Sequence, residues 1–110
     1  MLDHRSFDTV AAAPGVTVLD FTAAWCGPCK TLGAVLDVLA GELAGRVRFA
    51  AVDVDASPEL AQRFMVKSMP TLVVTRDGRE VGRIVGARPK AFVAGVIARA
   101  LAGDAAIAAP

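Results

Sequence analysis

The chain is short of cysteine, of aromatic rings and of net charge. Its 110 residues include two cysteines, one histidine, one tryptophan and no tyrosine, and the formal charge is +1. Each shortage excludes something. Two cysteines are too few to staple a secreted scaffold. Zinc normally takes four ligands, and His4 is the only good candidate beside the two thiols, so a closed site would have to be shared between two chains. Nearly balanced acids and bases suggest neither nucleic acid nor an anionic membrane surface as a partner. No uninterrupted apolar run approaches the roughly 20 residues that span a bilayer. There is no Gly-rich nucleotide fingerprint, so NADPH is not expected to bind here. Met1-Leu2-Asp3-His4-Arg5 places charges where a secretory signal would carry its apolar segment. Val10 to Ala13 is short and is cut by Pro14-Gly15. No signal peptide is expected, and the chain reads as a soluble, cytoplasmic single domain.

The thiols sit in one place. Both cysteines lie in Trp25-Cys26-Gly27-Pro28-Cys29-Lys30, directly after the apolar run Val16 to Phe21. Two thiols three positions apart at a strand-to-helix junction can close into a disulfide and reopen. At a helix start, unpaired backbone N–H groups and the helix dipole favour the thiolate of Cys26, and Lys30 one turn on adds a positive charge. Pro28 suits the first turn, where its missing N–H would be unpaired anyway. Cys29 is expected to face the protein and remain a thiol. The roles follow: Cys26 attacks a partner's disulfide, and Cys29 then resolves the mixed disulfide. Cys29 must lose a proton first. Asp20, an acid inside an apolar strand, is the candidate acceptor, because burial raises a carboxyl pKa. Its alternative role is to end the strand or bond backbone.

Strands and amphipathic segments alternate along the chain. Residues 16–22 read as a strand. Leu32, Val35, Leu36, Leu39 and Leu43 predict a helix from about Gly27 to Ala44, stopped by Gly45. A second strand is expected over 46–54, parallel to the first. Ser57-Pro58 reads as a cap and first turn of a short helix reaching about Phe64. Residues 71–75 and 80–85 form a hairpin about Asp77-Gly78. A last helix begins at Pro89 with Phe92, Val93, Val96, Ile97, Ala100 and Leu101 on one face, and residues 103–110 are expected to fray. The fold class is α/β, a central mixed sheet of four to five strands with helices on both faces.

The residues Val18-Leu19-Asp20-Phe21, Ala24-Trp25-Cys26-Gly27-Pro28-Cys29-Lys30, Val52-Asp53-Val54-Asp55, Ser68-Met69-Pro70-Thr71, Asp77-Gly78 and Val85-Gly86-Ala87 resemble the thioredoxin family in order and spacing. The resemblance covers nearly the whole chain. It implies a thioredoxin fold and a protein-disulfide reductase with no bound cofactor beyond the redox-active Cys26–Cys29 pair. Disulfide-containing proteins are the implied substrates. Recharging is implied through a thioredoxin reductase, which draws on NADPH indirectly. Pro70 resembles the family's cis-proline, and Met69 would offer its backbone to an extended substrate strand. Trp25, Gly27, Pro28, Met69, Pro70, Gly86 and Ala87 would make the docking surface. The alternative is that Trp25 and Met69 are core residues and the glycines are turns.

The chain departs from the family at three points. Thr22 stands where many relatives have tryptophan, and Ala51 where a lysine often accompanies the buried acid. Losing that lysine implies a higher pKa for Asp20. The first strand is nearly absent, which leaves a monomer with an uncovered edge or a dimer paired there. Arg76, Arg79, Arg83, Arg88 and Lys90 read as a solvated face. Asp53 and Asp55 read as a strand-end turn and not as a metal pair. Besides a general reductase, a dedicated reductase for one partner and a binding module with idle cysteines stay open.

Overall fold

One strand decides the layering, because its side chains alternate between two cores. The computed structural model describes the backbone of residues 4–103 and the side chains of residues 6–103. Within β1 (Val16–Thr22), Val16 and Val18 join Leu32, Leu36 and Leu39 of α2 (Gly27–Glu42) and Val93, Val96 and Ile97 of α4 (Lys90–Leu101). Leu19 and Phe21 point the other way, to Phe7 of α1 (His4–Ala11) and Leu60 of α3 (Pro58–Arg63). Helices thus cover both faces. Asp20 is on the α2/α4 side by the same alternation.

The sheet order is β2-β1-β3-β4, with β2 (Val47–Asp53), β3 (Thr71–Arg76) and β4 (Arg79–Val85). β2 runs parallel to β1, while β3 is antiparallel to both β1 and β4. The thioredoxin-like α/β arrangement is therefore present, with four strands among the described residues. β2 is an edge of that sheet. The near-absence of a first strand about Met1 and Leu2, the side chain of His4 as a zinc ligand, and fraying beyond Gly103 all concern what lies outside the described residues. No described helix is long and apolar enough to cross a membrane.

Local chemistry accounts for most boundaries. Gly45, at φ +82°, follows α2 where a left-handed residue is needed. Asp77 and Gly78 both take positive φ (53° and 84°), the geometry of a two-residue hairpin. A Cβ on Gly78 would also sit 3.3 Å from the Ala12 backbone. Arg76 donates to the carbonyls of Ala100 and Leu101 at 2.7 and 3.0 Å, satisfying acceptors at the end of α4. Ser57 occupies the cap position of α3 without a side-chain bond to the helix. Its hydroxyl therefore does not do the capping expected of it. Pro89 caps α4 and does not begin it.

α1 is the element that periodicity did not announce. Phe7 is fully buried, edge-on to Phe64 with centroids 5.4 Å apart, and Phe64 meets Phe21 at 5.6 Å. Arg63 stacks over Phe7 at 5.1 Å and pairs with Asp8. Phe7 thus fastens α1 to the sheet. Phe7→Ala is expected to destabilise the protein by about 3–5 kcal/mol. Urea denaturation should show a lower midpoint with the slope retained. A loss under about 1 kcal/mol would mean that α1 is not part of the core.

Candidate active site

The carboxyl end of β1 delivers the chain to the N-terminus of α2, and the two cysteines stand at that junction. Cys26 is the N-cap of α2 with extended backbone, and its Sγ accepts from the Cys29 N–H at 3.2 Å. A sulfur thus occupies the place where a capping oxygen normally sits. Pro28 lies in the first turn. The two cysteines are joined by a disulfide with Cα atoms 5.3 Å apart. Both are 4% exposed, so burial does not separate them. Position does: Cys26 is aimed at by a helix N–H, and Cys29 is one turn inside. Lys30 is exposed, and no described hydrogen bond ties it to either sulfur.

Ala23, Val54 and Met69 pack against the pair. The Met69–Pro70 peptide is cis. Pro70 O accepts from Gly86 N at 2.8 Å, which brings the end of β4 beside the start of β3. Thr71 Oγ1 donates to Ser68 O at 2.8 Å and steadies the loop before the proline. Trp25 is 69% exposed and is not a core residue. Its Nε1 donates to Asp55 Oδ2 at 2.7 Å. Asp53 Oδ1 in turn accepts from the Asp55 and Ala56 amides at 2.9 and 3.4 Å. The Asp53–Asp55 segment is a strand-end turn that also anchors the tryptophan. That anchoring role for Asp55 went unread in the sequence; the available signal was a lone indole in need of an acceptor.

Asp20 sits between Ala51 of β2 and Leu72 of β3. Its Oδ1 is buried without a hydrogen-bond partner. Desolvation raises its pKa to about 6. A cavity of about 210 Å³ adjoins it, lined among others by Gly33, Leu36, Asp37, Ala40 and Ala51. Ala51 thus leaves space at the point where a longer side chain could have reached the carboxyl. No described hydrogen bond joins Asp20 to Cys29. A raised pKa nevertheless suits a proton acceptor: it narrows the gap to a cysteine thiol by roughly 3 kcal/mol relative to an ordinary aspartate.

No described group of three or more His, Cys, Asp or Glu is arranged to hold a metal ion. A larger cavity, about 430 Å³, lies at the opposite end of the sheet, between Pro14-Gly15 and Gly45 to Arg48.

A family model described as Thioredoxin matches residues 1–99. A thioredoxin of Staphylococcus saprophyticus is 46% identical over 87 residues, covering 79% of this chain and 84% of that protein. A thioredoxin of Staphylococcus haemolyticus is 46% identical over 83 residues, 76% of this chain and 80% of that protein. A thioredoxin of Staphylococcus aureus is 43% identical over the same length, with the same coverage.

The buried carboxyl makes stability depend on pH with a definite sign. The folded pKa, about 6, lies above the model value of 3.8. Its contribution is fully present below the lower value and is lost as pH rises through the higher one. Asp20→Asn is expected to remove that loss and to stabilise the protein at pH 7 by on the order of 1–3 kcal/mol. Urea melts of both proteins between pH 3 and 8 measure the difference. Parallel curves would show that Asp20 titrates like an exposed carboxyl.

Proposed function

This chain belongs to the thioredoxin family, and we propose the residue roles by which its cysteine pair works. The protein is a thiol-disulfide oxidoreductase, a protein-disulfide reductase. Membership implies disulfide-bearing protein substrates and a reductase partner in general. The finer assignment rests on one observation, the Cys29 N–H aimed at Cys26 Sγ at 3.2 Å. Unsatisfied N–H groups and the dipole at a helix start favour negative charge there, so Cys26 is the thiolate nucleophile.

In the reduced protein the Cys26 thiolate attacks one sulfur of the partner's disulfide. A Cys26–partner bond forms, the partner's S–S bond breaks, and its other sulfur leaves as a thiolate that takes up a proton. Cys29 gives its proton to the Asp20 carboxylate and attacks Cys26 Sγ. The Cys26–Cys29 disulfide forms, and the second partner sulfur leaves. Two electrons have passed to the partner. Lys30 adds positive charge near Cys26 without bonding it. A flavin-dependent thioredoxin reductase using NADPH restores the dithiol. The working unit is the monomer, in a reducing compartment such as the cytoplasm.

The partner docks on Trp25, Gly27, Pro28, Met69, Gly86 and Ala87, with Pro70 buried beneath that surface and setting the backbone of Met69. An exposed indole next to the disulfide supports this, since a large apolar side chain held in water beside a reactive group suits a contact surface. The partner segment lies extended along Met69, taking main-chain hydrogen bonds as an added strand does.

The wild type should accelerate the turbidity that follows reduction of a disulfide-linked protein by dithiothreitol, and Cys26→Ser should abolish the acceleration. Equal acceleration by that variant would rule out Cys26 as the nucleophile. Cys29→Ser should accumulate mixed disulfides through Cys26, visible on non-reducing gels and by mass spectrometry. Partner capture that survives replacement of both cysteines by serine would instead favour a binding module.

A further inference from the structure

Among the described residues, one group of cations is engaged by other side chains or by backbone, and a second stands together at the disulfide end. Arg63 pairs with Asp8, Lys90 meets Glu42 at 2.8 Å, and Arg83 holds Glu80 through two bonds of 2.9 Å. Arg76 is engaged by the end of α4, and Arg48 donates to Thr17 Oγ1 at 2.9 Å. The basic stretch around the hairpin is therefore largely occupied. Its exceptions are Arg79, at the far end of β4 from the disulfide, and Arg88.

Arg88 belongs to the second group. Lys30, Lys67 and Arg88 stand at the disulfide end, and none has a carboxylate partner among the described residues. Lys30 follows Cys29 directly. Lys67 is two residues before Met69 and exposed. Arg88 follows Ala87 in the loop that Gly86 ties to Pro70 O. Two residues span at most about 7 Å, so each charge starts close to the docking surface. The Arg88 guanidinium lies 3.8 Å over the Phe92 ring. Stacking holds its plane in place and leaves its edge donors open for a carboxylate.

The acids at this end are differently disposed. Asp55 is bonded to Trp25, and Asp53 to the backbone of its own turn. These donors are neutral, so both carboxylates keep their charge, but they stand at the end of β2, across β1 from the Met69–Pro70 segment that leads into β3. Along the Met69 side of the disulfide the charge left unanswered is positive.

We propose that Lys67 and Arg88 select disulfide partners carrying acidic side chains beside the cystine, reading them as the segment lies along Met69. This deepens the reductase reading and rests on it. Opposite charge acts on encounter and register, so it favours such partners in rate while leaving the sulfur chemistry unchanged. Lys30 adds to the same field, but its place one turn from Cys26 makes it unsuitable for a separate test.

Three disulfide-linked peptides, identical except for two Glu, two Gln or two Lys flanking the cystine, test the proposal. At low ionic strength the wild type should reduce the Glu peptide about tenfold faster than the Lys peptide, with the Gln peptide between. In about 0.5 M salt the ratio should fall below about two. Lys67→Glu with Arg88→Glu should reverse the order, and Lys67→Glu alone, at an exposed position, should shift the ratio the same way by less. A Glu-to-Lys ratio under about two at low salt overturns the proposal. So does a double variant that keeps the wild-type order. Failure of the wild type to reduce even the Gln peptide would instead overturn the reductase reading.

Discussion

A helix cannot satisfy its own first N–H groups, and in this protein the acceptor supplied to α2 is a sulfur. That bond, Cys29 N–H to Cys26 Sγ at 3.2 Å, fixes much else. It requires β1 to end just before the cysteines and α2 to begin at them. Pro28 then falls in the first turn, where it forfeits no hydrogen bond the helix could have made. It also requires α2 to be held firmly, since a frayed helix start would lose the directed N–H groups. Leu32, Leu36 and Leu39 hold it, buried against Val16, Val18 and the α4 side chains. The same geometry that caps the helix favours negative charge on the sulfur. Structure and reactivity share one contact.

Asp20 shows the opposite relation. Its position on β1 turns it toward the α2/α4 core, where an apolar residue would stabilise the fold. The carboxyl is kept with one oxygen unpartnered and a cavity alongside. Neither feature helps folding. Burial raises its pKa to about 6, where a carboxylate can exchange protons with thiols more readily than an exposed aspartate could. Ala51 contributes by being small. The rim is economical by comparison: Lys67 and Arg88 sit on loops that the cis peptide and the Gly86–Pro70 bond already place.

What could be read in advance was what depends on neighbours in sequence. β1 and α2 followed from their apolar spacing, the hairpin from Asp77-Gly78, and the redox pair from its own six residues. Most of the misses depend on distance along the chain. α1 is eight residues long and owes its place to Phe7 meeting Phe64 and Phe21, from elements far downstream. Asp55 meets Trp25 across 30 residues. The cis form of Pro70 was expected only through resemblance, since nothing in the local pattern of Ser68-Met69-Pro70-Thr71 demands it. Ser57 was expected to cap by its residue type, yet its hydroxyl makes no bond to α3. The equal burial of the two sulfurs could not be read at all, because exposure is set by what packs around them: Ala23, Val54 and Met69.

The tether between Trp25 and Asp55 has an optical consequence. Trp25 is the chain's only tryptophan, it is solvent-facing, and it adjoins Cys26. Its indole is pinned by a hydrogen bond, so its distance from the sulfurs is set by the fold. An excited indole donates an electron readily to a nearby disulfide and far less to a pair of thiols. The emission of this single fluorophore is therefore an intrinsic gauge of whether the sulfurs are joined, and it needs no label.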